Sequence, residues 1–356
     1  MRDADAPLHP KQRSRLIDVA NHAGVTKSVV SRVLNNDRTL SIREETRTRI
    51  LDAVRDLGYQ PHTGARALAG ASTRALALLI PDLTNPVYSR ITRGAVQQAR
   101  VRGFAMLLAE DSADFGVDRQ FADLVASHRV DGLLIASARP DHPLLGMLPD
   151  SRIPHVFVNR VVAGSGRNIS LQIEAASQAA LDHLLALGHR RIGHVSGPEQ
   201  LAPTVSRRAG LLGAAVAAGI PEPSIESGEF NEQGGYAAAT RLLADHPDLT
   251  AIYASTLNQA IGVLSAVHAA GLRIPEDISV ISYDDLPLAG FLHPPLTAIA
   301  MPLMELGQAA VDALCAQLEG APPEDVLVPG APEVVVRGST GPPRSGPPAG
   351  AAKVPS

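Results

Sequence analysis

Apolar positions along this chain follow two regimes. Between Arg15 and Pro61 they recur at helical spacing in short pieces. Val19, Ala20 and Ala23 would line the buried face of a first helix, and Gly24 can take the positive φ that ends it. Thr26 suits the N-cap of a second helix with Val29, Val30 and Val33 on its apolar face. Ser41-Ile42-Arg43-Glu44 has the form of a capping box for a third, carrying Ile50, Val54 and Leu57 at helical spacing. Gly58 would stop that helix and Pro61 would bar its continuation. Three such helices can close one small core.

From Arg74 to about Arg337 the pattern changes to short apolar runs alternating with helical stretches. Strands are expected at Ala75–Ile80, Phe104–Ala109, Gly132–Ala136, His155–Val158, Ile192–Ser196, Ala251–Ser255 and Ile278–Ser282. Helical patterns between them include Val87–Arg102, Ala175–Leu187, Arg207–Ala218, Gly234–Ala244 and Gln259–Ala270. Continuous apolar strands separated by amphipathic helices predict parallel sheets covered on both faces. The stretch is long for one doubly wound sheet, so two similar lobes with a cleft between them are expected. The resulting domain plan has a disordered tail at 1–13, a three-helix head at 14–62, and a linking segment at 63–73. A two-lobed α/β body follows at 74–337, with a second disordered tail at 338–356, whose Gly, Pro, Ala and Ser lack periodicity.

Composition narrows the function classes. Hydrophobic residues make up 45% of the chain, enough for a real core, but aromatics only 3% with no Trp. A single cysteine, Cys315, excludes an intrachain disulfide and a Cys-built zinc site. No apolar run approaches the ~20 residues that span a bilayer, and the polar start of the chain lacks the apolar stretch of a secretory signal. A cytoplasmic, membrane-free protein is expected. Net charge is −4 overall, but residues 1–74 hold 13 Lys and Arg against 8 Asp and Glu, leaving 19 against 28 in the remainder. A basic head on an acidic body suits a DNA-contacting module.

The second helix strengthens that reading. Opposite its apolar face it displays Lys27, Ser28, Ser31 and Arg32, cations and short donors of the kind that reach base edges from a helix in the major groove. Spacing alone favours DNA binding but also allows a three-helix structural or protein-docking module. The segment Asp18-Val19-Ala20, Ala23-Gly24-Val25-Thr26, Val30-Ser31-Arg32-Val33-Leu34-Asn35 resembles the head of the lactose-repressor (LacI) family. So do Glu44-Glu45-Thr46-Arg47, Gly58-Tyr59-Gln60-Pro61 and Ala65-Arg66-Ala67-Leu68. The resemblance implies a helix-turn-helix head with Thr26 at a phosphate, Lys27 and Ser28 as principal base readers, and Ser31 and Arg32 as further groove contacts. Asn35 and Tyr59, which fall on the same motifs, complete the implied DNA set. Residues 65–69 would form a hinge helix on operator, with Leu68 wedged into the minor groove. His62 stands where the family usually has Asn, which leaves its phosphate contact open.

The resemblance continues through the body, whose family relatives share a periplasmic-binding-protein-like core. Pro81-Asp82-Leu83-Thr84-Asn85-Pro86-Val87-Tyr88 matches its first strand-to-helix loop, which faces the crevice where open α/β folds bind ligands. Asp82, Asn85, Tyr88, Asn159, Arg160, Arg207, Leu257 and Asp284 are the implied effector-binding positions. Departures are informative: Gln172-Ile173 replaces a usual Asp-Asn, Leu257 a usual Asp, and Asn159-Arg160 the common Asp-Arg. A neutral sugar needs several buried acceptors, and an unpaired buried hydroxyl costs about 1–3 kcal/mol. These losses argue for a less hydroxylated or anionic effector, which Arg160 and Arg207 could clamp, unless they are structural cations.

Enzymatic motifs are missing: there is no G-x-G-x-x-G, Walker loop, G-x-S-x-G elbow or H-E-x-x-H. No catalytic residue, metal or cofactor is expected. The expected partners are operator DNA, a small-molecule effector and a second copy of the chain, since a two-fold site needs at least a homodimer. The expected function is a transcriptional regulator, by family default a repressor. Alternatives are a DNA-binding regulator with a degenerate, non-sensing cleft, or a solute-binding protein.

Overall fold

The computed structural model describes residues 14–34, 37, 39–59, 72–111, 129–137, 145–148 and 153–345. The chain divides into two compact units that meet between Thr73 and Arg74.

The first unit is built from α1 (Leu16–Ala23), α2 (Lys27–Leu34) and α3 (Glu44–Asp56). Gly24 takes φ 64° and ends α1 as a left-handed cap. Thr26 precedes α2, its hydroxyl accepting from Val29 N at a long 3.5 Å. Val19, Ala20, Ala23, Val30, Val33, Ile50 and Ala53 form the buried centre, the apolar faces expected from spacing. Two polar braces close it: Ser14 Oγ donates to Leu57 O (2.7 Å) and Arg49 Nε to Ala23 O (2.9 Å). The capping box expected at Ser41 does not form. The helix starts later, at Glu44 with Arg43 as N-cap, and Glu44 and Glu45 place their charges at its positive end.

The second unit continues with β1 (Ala75–Ile80), α4 (Pro86–Val101), β2 (Ala105–Glu110), β3 (Gly132–Ile135), β4 (His155–Val158) and β5 (Asn168–Ser170). There follow α5 (Ile173–Ala186), β6 (Ile192–Ser196), α6 (Ala202–Ala217), β7 (Ser224–Ser227), α7 (Glu232–Asp245), β8 (Ala251–Ala254) and α8 (Leu257–Ala269). The last elements are β9 (Ser279–Tyr283), β10 (Thr297–Ala300), α9 (Leu303–Leu318), β11 (Val326–Leu327) and β12 (Glu333–Val335). They build two six-stranded sheets, in the orders β11-β5-β4-β3-β1-β2 and β12-β10-β9-β8-β6-β7. Every pairing is parallel except β12 against β10. The two lobes and their parallel sheets match the expected fold class.

Three crossings join the lobes: β5 to α5, β10 to α9, and β11 to β12. The first two leave the C-terminal ends of strands, so the C-terminal edges of both sheets turn toward the crossings. Gln172 Nε2 donates to Gly330 O (3.4 Å), tying the first crossing to the third. Within each lobe, helices meet through glycine. A Cβ on Gly94 of α4 would run into the Met304 carbonyl, and one on Gly307 of α9 into that of Ile91. Gly235 and Gly262 play the same part between α7 and α8.

Two expectations are corrected. The body does not end at Arg337: Ser339 is fully buried, donating to Val280 O (2.6 Å) and accepting from Thr297 N (2.8 Å), and Arg344 donates to Asp277 O and Pro247 O. Low sequence periodicity missed a segment held by specific hydrogen bonds through residue 345. Helix α6 also starts five residues before the expected Arg207, with Pro203 in its first turn. Among the described residues, no helix is long and apolar enough to cross a membrane.

Candidate functional site

On the head, burial of Val30 and Val33 turns the opposite face of α2 outward. Thr26, Lys27 and Ser28 are exposed there, and Ser31 and Arg32 are half-buried. Arg32 is not free: its Nε donates to Asp37 Oδ2 (2.7 Å) and its Nη2 to Thr39 Oγ1 (2.9 Å). That guanidinium, with the Thr39 donors, holds the Asp37 carboxyl down at about 2. Tyr59 packs against the head core, where burial pushes its phenol up. Asn35, His62 and Leu68 lie outside the described residues.

In the body, the expected effector residues separate into two groups. Asp82, Asn85 and Tyr88 have local tasks. Asp82 Oδ1 accepts from the amide and hydroxyl of Thr84 (2.7 and 2.6 Å), Asn85 caps α4 through Val87 N (3.1 Å), and Tyr88 belongs to the core. Asn159 and Asp284 follow β4 and β9 directly, at matching places in the two lobes. Both adopt positive φ, 58° and 72°, which few residues other than glycine tolerate and which Asn and Asp tolerate best.

Several buried polar atoms in the two lobes have no hydrogen-bond partner among the described residues. Lobe one contributes Ser137 Oγ, just past β3, and Arg160 Nη1, just past β4. The other face of that guanidinium is fixed by Nε donating to Ala136 O (2.6 Å). Lobe two contributes Thr204 Oγ1 and Arg207 Nε on α6 and Asp284 Oδ2 past β9. Arg207 lies over the Tyr283 ring at 4.1 Å and the Phe230 ring at 5.7 Å. Burial raises the Asp284 carboxyl to about 6, opposed by the charge of Arg207. Neighbouring Asp285 is instead paired with Arg337 (2.7 Å). Buried polar atoms in folded proteins nearly always have partners, so atoms left without one are candidates for contact with a ligand.

Leu257 is buried in the first turn of α8, after the Thr256 cap, and Ile173 opens α5. Neither supplies a polar atom. Ser137, Thr204, Phe230 and Tyr283 were not among the expected site residues. Phe230 follows β7, a short polar strand that gives no hydrophobic signal, and its ring occupies the space over Gly197 where any side chain would collide. His194 is structural: Nδ1 sits 3.0 Å from Tyr253 O, the ring stacks on Tyr253 at 4.8 Å, and burial forces its pKa to about 4. His189 lies 2.9 Å from both Thr250 Oγ1 and Gly341 O, holding the C-terminal segment in place.

Comparison with known proteins agrees with this division. Residues 15–62 match the model of bacterial regulatory proteins of the lacI family, and residues 181–340 that of the periplasmic binding protein-like domain. The chain is 31% identical to the HTH-type transcriptional regulator CelR of Thermobifida fusca over 90% of its own length and 96% of the relative's. It is 33% identical to the ribose operon repressor of Escherichia coli K12, covering 83% and 91% of the two chains. The structure of the lac repressor dimer bound to operator and the anti-inducer ONPF superposes with a TM-score of 0.81 at 27% identity, covering 93% of this chain and all of that one. The chain therefore belongs to the LacI family of bacterial regulatory proteins, as a DNA-binding transcriptional regulator carrying an effector-binding domain.

Proposed function

We propose that this regulator is a cytoplasmic repressor that docks on operator DNA as a homodimer and releases or grips it according to an anionic or sparsely hydroxylated metabolite bound between its lobes. Thr26, Lys27, Ser28, Ser31 and Arg32 face the groove; Asn35, Tyr59 and Leu68 act at the margins of that contact. In the body, Asn159, Arg160, Arg207 and Asp284 contact the ligand, with Asp82, Asn85 and Tyr88 shaping the adjacent loop and Leu257 an apolar wall.

The observation that carries the effector assignment is the set of buried atoms without partners among the described residues, above all Arg160 Nη1 past β4 in one lobe and Arg207 Nε on α6 in the other. Arg207 acts on a carboxylate whose charge burial already disfavours, and Arg160 adds a second buried guanidinium from the other lobe, so the balance of charge is cationic. A carboxylate or phosphate would satisfy both arginines at once. A ligand touching both lobes binds one lobe arrangement better than another, and that differential affinity is what shifts operator binding.

The test is calorimetry on the full-length protein against sugars, sugar phosphates and small carboxylic acids. Binding confined to the charged panels is the expected result. Tight binding of an unmodified pentose or hexose, as the names of several relatives would suggest, overturns the ligand class. Silence in every panel overturns the sensing role.

A further inference from the structure

The ion pair on the head joins a groove-facing arginine to a residue beyond the end of its helix. Arg32 lies on α2, and Asp37 reaches back to it from the chain that follows. Asp37 is itself tightly held. Its Oδ1 accepts from Thr39 N (2.8 Å) and Thr39 Oγ1 (2.7 Å), and its own amide donates to Arg32 O (3.0 Å). Partly exposed ion pairs contribute little to stability. Here the pair has a geometric consequence instead.

A guanidinium offers five coplanar N–H donors. Asp37 and Thr39 occupy the side edge, with Nε on one acceptor and Nη2 on the other. The end edge, made by Nη1 and the second Nη2 hydrogen, is left with two parallel donors. That edge has the shape that grips the O6 and N7 acceptors of guanine in the major groove. An arginine already anchored also loses less side-chain freedom when it binds.

We propose that Asp37, assisted by Thr39, is a positioning residue that sets the edge Arg32 presents to DNA, and thereby selects guanine at one base pair of the operator. The proposal rests on Arg32 being a groove reader. The opposite role for the same contact is competition, in which the carboxylate withholds Arg32 from DNA. The two differ in sign, because removing a competitor strengthens specific binding and removing a positioner weakens it.

The experiment uses the full-length protein. A preferred duplex is selected from a randomised pool, and single base-pair variants of it are titrated at one salt concentration with wild type, Arg32→Ala, Asp37→Asn, Thr39→Val and the Arg32→Ala/Asp37→Asn double variant. Arg32→Ala is expected to abolish discrimination at one base pair. Asp37→Asn should lose about tenfold or more of the discrimination at that same pair, the scale of a bidentate base contact. Thr39→Val should lose a smaller part. Binding to unrelated DNA should hold or rise, since a negative charge has gone, and Asp37→Asn should add nothing in the Arg32→Ala background. Unchanged discrimination in Asp37→Asn, a uniform loss across all duplexes, or tighter binding to the preferred site overturns the positioning role. Full discrimination retained by Arg32→Ala, or a selection returning no preferred duplex, overturns instead the reading of Arg32 on which it stands.

Discussion

Asp284 and His194 are both fully buried titratable groups close to Arg207, and their linkage to folding has opposite signs. Asp284 rises from 3.8 to about 6, so between those values the native protein binds more protons than the unfolded chain, and stability falls as pH rises. His194 drops from 6.5 to about 4, so the unfolded chain takes up its proton first, and stability falls as pH falls through that window. Burial lowers His155, His183 and His189 as well, adding to the acid loss. Asp284 offsets part of it. Asp284→Asn keeps a side chain that tolerates φ 72° but removes the offset. The ligand-free variant is therefore expected to lose more Tm than wild type between pH 6.5 and 4. Equal losses in thermal melts would count against an ionisable, desolvated Asp284. The family resemblance marked this residue, yet its missing partner and shifted proton affinity belong to the packed environment.

At the scale of elements, strands with several apolar residues were legible, and the shortest ones were not. β1, β4 and β6 appear at their expected bounds. β11 and β12 have two and three residues, too few to show any period, and exist because neighbouring strands offer them hydrogen bonds. Helix contacts were equally hidden, because glycines in a helical pattern read as weak points until the facing helix is known. Gly94→Ala and Gly307→Ala would each press a methyl into backbone across the α4–α9 contact, which cannot move aside as a side chain could. Each is expected to lower stability by about 1–3 kcal/mol. Gly213→Ala on α6, with open space around its Cβ, should be neutral or stabilising by up to about 1 kcal/mol. Denaturant titration of the three variants separates close approach from helix propensity; equal effects would remove the packing argument.

Over the whole molecule, the proposed ligand works only if both lobes hold it. Arg160 belongs to the first and Arg207 to the second, so each substitution should break the same coupling from a different side. Arg160→Ala and Arg207→Ala are each expected to leave ligand-free operator affinity within about twofold of wild type, while reducing the effector's influence on it by about tenfold or more, as a lost charge-assisted contact implies. Operator titrations with and without effector measure this. Persistence of the full effect in either variant would show that one lobe suffices.

The chain's own order of residues determined the three-helix head, the alternation of strand and helix, and the basic face of α2. These are carried by local periodicity, caps and turn residues that act over a few positions. Only the tertiary structure decided that Asp37 returns to Arg32, that residues 338–345 are held against the second sheet, and that Ser137, Arg160, Thr204, Arg207 and Asp284 leave buried polar atoms without partners among the described residues. Those atoms come from strand ends and from helix α6, in two lobes linked by three crossings. Burial and hydrogen-bond partnership are properties of the packed chain, set by which distant segments meet and by which polar atoms are left without a mate.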